Sequence, residues 1–512
     1  MPDFMKIHEE DSVAVALHAV EAGTTFLGVT AREAIPQGHK MALKAIGCGE
    51  EVIKYGFPIG HATKEILPGS WVHSHNMATN LSGEVEYRYE PAVKPLTTEK
   101  PKTFRGFRRP DGRAAVRNEI WILPVVGCVN DVAKALAQEN QDLVQGNVEG
   151  LYAFPHPFGC SQTGEDHVQT RRLLGSLVRH PNAAGVLVIS LGCENLTHEQ
   201  FLEELGEFDP RRVKFIICQQ VEDEMAVGRK MLEELAGYAQ TFTREEIPAS
   251  ELVVGMKCGG SDGLSGITAN PVVGRFSDRL IAMGGSTVLT EVPEMFGAEG
   301  FLMNRCVSEE VFDKAVGMLN GFKDYFLRHG EVVYENPSPG NREGGITTLE
   351  DKSCGCVQKG GSAPIADVIA YGERVKTKGL TMLSGPGNDL VSSTALTAAG
   401  AHLVLFTTGR GTPFGVPAPV VKIASNTPMA ERKKRWIDFN AGVAADGTRS
   451  LDECAEDLLE LVCEVASGRR TRSEVNGYRE IAIFKDGIML SGGVSFLFQA
   501  RLSPRVPRCN GA

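Results

Sequence analysis

The middle of the chain repeats one order of elements: an apolar strand, a turn that contains glycine or cysteine, and a helix. This repeat constrains the fold more than any other feature of the sequence. Strands that are apolar along their whole length are typical of a parallel sheet with helices on both faces. Such sheets bind ligands beyond the carboxyl ends of their strands, so the residues that follow each strand are candidates for a functional site. Four such strands are predicted, at residues 120–126, 150–154, 185–190 and 213–217.

The rest of the chain predicts a multidomain α/β protein. Residues 1–91 contain short apolar runs separated by turn-rich pieces, which indicates a small β-rich domain. Three prolines within residues 91–101 and the lack of an apolar period predict a linker at 92–103. A first α/β domain is predicted at 104–245 and a second at 246–490, both with mainly parallel sheets, followed by an irregular tail at 491–512.

Composition excludes several classes of partner. The chain has 53 Lys and Arg against 64 Asp and Glu, a net charge of −11, and no dense basic stretch, so we expect no nucleic acid. No stretch reaches the roughly 18 apolar residues of a membrane span, so we expect no membrane. The polar start of the chain has no apolar signal core, which predicts a cytoplasmic protein. A homo-oligomer is compatible with the sequence, which does not define the oligomeric state. A nucleotide cofactor has no support, because neither a P-loop nor a Rossmann glycine motif is present.

Cysteines follow the first three of the four predicted strands and a further strand predicted at residues 252–256. In a reducing compartment, the 12 cysteines of the chain are expected as thiols or metal ligands rather than disulfides. Thiols that meet at one sheet edge can bind iron or zinc, whereas the structural alternative is four small residues buried in tight glycine turns. The four are Cys128, Cys160, Cys193 and Cys258, with Cys354 and Cys356 in a polar loop as secondary candidates.

A histidine pair in the first domain is the second candidate. On a strand, His73 and His75 would face the same side and could hold one metal or one substrate. Asn76 follows them, and His39 and Lys40 lie in the same domain. The alternative is a solvated pair at a strand edge.

Arginines form the third candidate group. Four of them lie within residues 108–117, among them Arg113 and Arg117, and Arg410 lies in a polar glycine loop. A guanidinium group can form paired hydrogen bonds with a substrate carboxylate. A charged hairpin without a ligand is the alternative for residues 108–117.

Several long motifs in a fixed order resemble the altronate/galactarate dehydratase family over about residues 7–490. Within that family, the His73–His75 motif and the stretches at 291–299 and 349–353 are similar to the altronate branch. The other motifs that carry the resemblance are residues 36–40, 55–60, 111–118, 158–162, 191–195, 258–271, 336–341 and 407–413.

The resemblance implies a fold and an activity. It implies a small SAF-type β domain followed by two α/β domains, and loss of water from D-altronate to give 2-dehydro-3-deoxy-D-gluconate, assisted by Fe(II) or Mn(II). Alternatives are dehydration of galactarate or a related acid sugar, loss of sulfite from a sulfonated hydroxy acid, and a sugar-acid binding protein without catalysis. No function is assigned to the tail.

The chemistry that the resemblance implies assigns tasks to groups of residues but not to individual ones. Removing the proton beside a carboxylate needs a base, and the departing hydroxyl needs an acid or a metal. The expected base, acid or metal ligands are His39, His73 and His75, and the expected substrate-binding residues are Lys40, Asn76, Arg113, Arg117 and Arg410. Because thiols are soft ligands, an iron–sulfur centre at the four cysteines is an alternative to a single metal.

Overall fold

The N-terminal part of the computed structural model, which describes residues 3–82 and 85–486, is built from short antiparallel strands. One sheet has the order β1-β2-β5-β8, a second has the order β6-β7-β9, and β3 pairs with β4. The strands are β1 (Phe4–Met5), β2 (Val13–Ala16), β3 (Thr25–Phe26), β4 (Val29–Thr30), β5 (Lys40–Ala42), β6 (Glu51–Lys54), β7 (Phe57–Ala62), β8 (Trp71–Val72) and β9 (Met77–Ala78).

Strand β2 shows how this small domain is joined to the rest of the chain. All four of its residues are buried, although successive side chains point to opposite faces of a strand. Val13 and Val15 pack into the core that extends through the C-terminal part of the chain, whereas Ala14 and Ala16 pack into a small local core with Phe4. The domain is therefore packed against the C-terminal part through a shared apolar core.

The middle part contains the predicted parallel sheet, with strand order β13-β12-β14-β15. A separate antiparallel sheet has the order β11-β10-β16. Its strands are β10 (Thr103–Arg108), β11 (Ala114–Ala115), β12 (Glu119–Pro124), β13 (Gly150–Ala153), β14 (Ala183–Ser190), β15 (Val213–Ile217) and β16 (Arg244–Pro248). Its helices are α1 (Asn130–Glu139), α2 (Gly164–Val178), α3 (His198–Leu205) and α4 (Glu224–Ala239).

Both faces of this parallel sheet are covered, as its apolar strands predict. Trp121 and Leu123 of β12 pack on one side with residues of α2, and Ile120 and Ile122 pack on the other side with residues of α1 and α4. Strand β16 contains the predicted boundary between residues 245 and 246, and it pairs along its length with β10 of the first α/β domain. The domain boundaries themselves stay predictions, and the tail at 491–512 lies outside the described residues.

The C-terminal part contains a seven-stranded parallel sheet with the order β19-β20-β18-β17-β21-β22-β23. Its strands are β17 (Val253–Cys258), β18 (Ser286–Leu289), β19 (Ile365–Ile369), β20 (Gly379–Leu383), β21 (Leu403–Thr408), β22 (Val420–Ala424) and β23 (Phe439–Asn440). Its helices are α5 (Ala269–Ala282), α6 (Gly300–Met303), α7 (Glu309–Arg328), α8 (Pro339–Glu343), α9 (Leu349–Cys356), α10 (Asp389–Ala398), α11 (Thr427–Arg432), α12 (Leu451–Ala466) and α13 (Arg472–Val475). The predicted fold class, a small β domain followed by α/β domains with mainly parallel sheets, is confirmed. None of the helices in the described part of the chain has both the length and the apolar character to cross a membrane.

Candidate active site

The histidines of the first domain lie against helix α8. The Nε2 atom of His39 is 3.1 Å from the carbonyl oxygen of Glu343, and that of His73 is 3.0 Å from the carbonyl oxygen of Arg342. The rings of His39 and His73 are stacked with centroids 5.1 Å apart, and the Trp71 indole N–H donates to Nδ1 of His39. These contacts fix the end of α8 against the small domain.

Their hydrogen bonds define the protonation of the two rings. A nitrogen facing a carbonyl must carry hydrogen, so Nε2 of both histidines is the donor, and Nδ1 of His39 accepts from Trp71. Burial is the main cause that lowers the pKa of His39 to about 4 and the pKa of His73 below its usual value. Both rings are therefore neutral positioning groups near pH 7.

The His73–His75 motif is a turn rather than a strand, which corrects the expectation from its spacing. Strand β8 ends at Val72, and the backbone N–H of Asn76 donates to the carbonyl of His73. The buried Asn76 side chain accepts from the backbone N–H of His73 and donates to the carbonyl of Trp71. Asn76 therefore stabilises the turn. His75 is exposed beside the Trp71 ring, at 5.3 Å, and no described residue forms a hydrogen bond with its imidazole.

Lys40 joins the small domain to helix α9. Its fully buried ammonium group donates to the carbonyl of Gly345, to the Thr347 hydroxyl and to Asp351, whose other oxygen is 2.9 Å from Lys54. Burial lowers the pKa of Lys40 to about 8, although Asp351 opposes this. Burial would raise the pKa of Asp351, but the two ammonium groups outweigh it and hold that pKa well below its usual range. All three donors of Lys40 are used, so its place is structural rather than substrate-binding.

Arg410 lies close to the histidine cluster and remains accessible. It follows β21, at the carboxyl edge of the seven-stranded sheet, and its backbone N–H donates to the carbonyl of Gly260. Its guanidinium group is 3.0 Å from the Glu343 carboxylate, and 47% of its side chain is exposed. The carbonyl of Glu343 faces His39, and the carboxylate of Glu343 pairs with Arg410. Arg410 therefore contacts the same short helix, α8, as the histidines.

The other two predicted arginines are occupied elsewhere. Arg113 pairs with Asp111 at 2.6 Å and donates to the carbonyl of Arg179. Arg117 is fully buried and forms paired bonds of 2.8 and 2.9 Å with Glu474, together with bonds to backbone carbonyls. The expectation that both bind a substrate carboxylate is not supported, because Asp111 and Glu474 already fill that role.

Three of the four predicted cysteines lie at one edge of the four-stranded sheet. Cys128, Cys160 and Cys193 follow the carboxyl ends of β12, β13 and β14, and β12 pairs with both of the other strands. All three cysteines are exposed. The nitrogen of Gln219 lies 3.4 Å from Sγ of Cys193.

Hydrogen bonds tie the three cysteine loops together. The N–H of Gly127 donates to the carbonyl of Phe158, which joins the Cys128 and Cys160 loops. The N–H of Ser161 donates to the Asn195 side chain at 2.7 Å, which joins the Cys160 and Cys193 loops. Gly159 has a φ of 101°, and a Cβ there would lie 2.0 Å from the carbonyl oxygen of Val125, so this close approach requires glycine. The loops therefore bring three thiols to one edge.

Cys258 does not belong to that edge, because β17 is part of the other parallel sheet. Its buried thiol lies 3.5 Å from the Cys356 thiol and 3.2 Å from Glu294. With Glu291, these residues form the one group of at least three possible metal ligands, with ligand atoms within 4.8 Å of one another, found among residues 3–82 and 85–486. The expectation of one edge with four cysteines is therefore wrong for Cys258.

Lysines surround this buried cluster. Lys352 is 2.8 Å from Glu294, and Lys359 is 3.2 Å from Glu291 and 2.8 Å from Sγ of Cys356. Lys257 also pairs with Glu291. Burial would raise the pKa of Glu294, but the ammonium groups lower it strongly. The carboxylates are therefore already balanced by cations.

Sequence reasoning missed the buried charges. Asp351 and Lys352 lie in one motif that carried the family resemblance and Glu291 and Glu294 in another, so the signal was present in the sequence. Asp351 pairs with Lys40 and Lys54 across the domain junction. The spacing of these residues could not predict this contact, because the lysines are more than 290 residues from Asp351 in the sequence.

Comparisons with known proteins agree with this architecture. Three family models match the chain: altronate/galactarate dehydratase SAF domain at residues 2–80, D-galactarate dehydratase/altronate hydrolase second domain at 106–240, and D-galactarate/altronate dehydratase C-terminal at 249–489. The chain belongs to the altronate/galactarate dehydratase family and is a lyase.

Three relatives are similar to the chain over at least 94% of its residues. It is 51% identical over 500 residues to the altronate dehydratase of Bacillus subtilis (strain 168), covering 96% of this chain and 100% of that protein. It is 51% identical over 496 residues to the altronate dehydratase of Escherichia coli (strain K12), covering 95% and 100%. Identity to the galactarate dehydratase (L-threo-forming) of Escherichia coli (strain K12) is 35% over 504 residues, covering 94% and 96%.

Proposed function

We propose that the protein removes water from D-altronate to give 2-dehydro-3-deoxy-D-gluconate, a step of hexuronate breakdown in the cytoplasm. The observation that carries this proposal is the 51% identity to two altronate dehydratases over their whole length, against 35% to a galactarate dehydratase. An accessible arginine, Arg410, pairs with Glu343 of the short helix that His39 and His73 also contact, which supports the same chemistry because a guanidinium group can bind the substrate carboxylate.

Arg410 is proposed to bind the substrate carboxylate. Removal of the C2 proton moves negative charge onto the carboxylate oxygens, so a fixed guanidinium group stabilises the transition state more than the ground state. Arg410 is exposed enough to reach a ligand, and its partner Glu343 is 69% exposed, so the ion pair can open or be shared at low cost.

His75 is proposed to transfer a proton to or from the substrate. Both nitrogens of His39 and of His73 are engaged, whereas the described residues leave the imidazole of His75 without a hydrogen-bond partner. An imidazole nitrogen that no protein group occupies is available to act as a general acid or base on a bound substrate. His39, His73 and Asn76 hold the turn that presents it.

The cysteine edge fits iron better than the buried cluster does. Cys128, Cys160 and Cys193 are exposed thiols on loops that are bonded to one another. In the buried cluster, a metal ion would have to displace lysines from Glu291, Glu294 and Cys356. We therefore assign the iron to the cysteine edge, as an iron–sulfur centre with three protein ligands. When bound, such a centre supplies a Lewis acid for a departing hydroxyl group.

A substrate panel tests the proposed function. The protein, purified without oxygen, is assayed with D-altronate, galactarate and sulfolactate by formation of the 2-keto product or of sulfite. We expect kcat/KM for D-altronate to exceed the values for the other two acids. Higher kcat/KM for galactarate would move the protein to the other branch of the family, and tight binding of D-altronate without turnover would support a binding protein.

A further inference from the structure

A cleft between the second and third domains carries an excess of positive charge that the proposed reaction does not use. It has a volume of 590 Å³, in the range of small-molecule sites. Five cationic side chains and three carboxylates line it, although the chain as a whole has a net charge of −11. The cations are Arg172, Arg179, Lys314, Arg374 and Lys376, and the carboxylates are Glu204, Asp367 and Glu373.

Each carboxylate of the cleft already has a partner. Glu204 pairs with Arg171 at 3.1 Å, Asp367 lies 3.4 Å from Lys314, and Glu373 accepts from the backbone N–H of Ala370. They therefore leave the remaining cations of the cleft without a full counter-charge.

Two arginines are left unpaired. Neither Arg172 nor Arg374 forms a hydrogen bond or an ion pair with any residue in the described part of the chain, and the Nε atom of Arg374 is buried without a partner. Burial, together with repulsion from Arg113, Arg179 and Arg212, lowers the pKa of Arg374 to about 10. A buried donor without a partner is costly, so it indicates a missing acceptor.

Hydrogen bonds join the two domains that line the cleft. Ser176 of helix α2 donates to the carbonyl of Gly372 at 2.8 Å, which ties the second domain to the loop that carries Arg374. Arg179 caps the carbonyl groups of Glu204 and Leu205 at the end of α3, so its guanidinium group is also held in place.

Arg179 and Arg374 of this cleft lie towards the amino edges of the parallel sheets, away from the candidate active site. Arg179 follows the last residue of α2, and Val375 bonds to Ala399 after α10, so both mark the amino edges of the parallel sheets. The cysteine loops and Arg410 lie at the carboxyl edges. Strand β14 has eight residues, which separates the two edges by roughly 25 Å.

We propose that this interdomain cleft binds a phosphoryl dianion, either inorganic phosphate or a phosphate monoester, through Arg172, Arg179 and Arg374. Guanidinium groups match the oxygens of phosphate with paired hydrogen bonds, and a dianion balances the charge of the cleft. A ligand here would also hold the two domains together.

Calorimetric titration of the full chain with inorganic phosphate, at ionic strength held constant with chloride, tests the proposal. We expect binding to the wild-type protein and affinity weaker by about tenfold or more in Arg374→Gln and in Arg172→Gln. The control Arg328→Gln, which removes an exposed ion pair with Asp324, should bind phosphate like the wild type. A titration with a hexose phosphate shows which source of the phosphoryl group is preferred, and tighter binding of either supports the proposal.

Melting temperature separates a ligand site from a structural role. Without phosphate, Arg374→Gln should melt at the same temperature as the wild type or higher, because the variant removes repulsion. Phosphate should raise the melting temperature of the wild type more than that of Arg374→Gln at the same concentration. The proposal is overturned by absence of phosphate binding to the wild type, by equal binding to Arg374→Gln, by tighter binding of malonate than of phosphate, or by a lower melting temperature of the variant without phosphate.

Discussion

At the scale of single residues, hydrogen bonds separate positioning groups from groups that are free to act. Every side-chain nitrogen of His39, Lys40 and His73 forms a hydrogen bond, and Lys40 alone contacts three acceptors across a domain junction. Arg410 and His75 lie beside them with accessible side chains. Removing a positioning residue should change stability, whereas removing an accessible one should change the kinetics.

Arg410→Gln should raise KM for D-altronate by about ten- to a hundredfold, because it removes a charged hydrogen bond to the carboxylate. The matched control is Arg113→Gln, which removes another exposed arginine that already has Asp111 as its partner. Steady-state kinetics of both variants measure the effect. An unchanged KM in Arg410→Gln would assign the carboxylate to another residue.

His75→Ala should lower kcat by about a hundredfold or more with little effect on KM, because proton transfer is lost while substrate contacts remain. His18→Ala serves as the control, since His18 is a half-exposed histidine of the same domain paired with Asp3. The readout is kcat over the pH range 5 to 9. If kcat of His75→Ala equals that of the control, the proton passes through another group.

The sequence identified the residue types of the site better than their roles. His39, His73 and Arg410 contact helix α8, and His75 lies beside Trp71 in the turn that follows β8. Lys40, Asn76 and Arg117 could not be recognised as structural, because their partners Thr347, Trp71 and Glu474 are either distant in sequence or contacted through a turn.

At the scale of elements, the carboxyl edge of the four-stranded sheet carries the proposed metal site. Each of its first three strands ends in a loop that carries one cysteine, and neighbouring loops exchange hydrogen bonds. The alternation of apolar strands and helices was sufficient to predict this edge. It could not predict that β17 belongs to another sheet, because strand order is set by packing across the whole chain.

Cys193→Ser should reduce the iron content of protein purified without oxygen to background and abolish turnover, because a hydroxyl group is a poor ligand for iron–sulfur clusters. Cys48→Ser, which changes an exposed cysteine of the small domain, should keep both. Iron, acid-labile sulfide and circular dichroism are measured on each variant. Full iron content in Cys193→Ser would exclude the cysteine edge as the metal site.

At the scale of the whole molecule, buried ion pairs join the domains. Arg117 and Glu119 of the second domain bond to Glu474 and Arg479 near the end of the described chain, and Lys40 and Lys54 bond to Asp351. The parallel sheets, the small β domain and the proline-rich connection could be predicted from local patterns. These pairs could not, because each links residues several hundred positions apart.

Glu474 makes the stability of the protein sensitive to acid. Burial would raise its pKa, but Arg117 and Arg479 outweigh burial and lower it to about 2. The unfolded carboxyl group titrates near its model value of 4.5, so the contribution is complete above that pH and is lost as the pH falls towards 2. It amounts to about 3 kcal/mol.

Glu474→Gln should lose this dependence and, near pH 7, should be less stable by about 3 to 5 kcal/mol, because it leaves buried guanidinium groups unpaired. Urea unfolding of wild type and variant between pH 6 and pH 2.5 provides the measurement. Glu464→Gln, which breaks an exposed pair with Arg469, is the control and should cost under about 1 kcal/mol. Parallel pH profiles of wild type and Glu474→Gln would contradict this assignment.

Dehydration of D-altronate in deuterium oxide is the most direct test of the proposed reaction. Loss of the C2 proton and the C3 hydroxyl gives an enol, which becomes the ketone by taking one proton from solvent at C3. We expect 2-dehydro-3-deoxy-D-gluconate that carries one deuterium at C3, formed by the iron-loaded protein and not by Cys193→Ser. Absence of this product, or product without deuterium at C3, would contradict it.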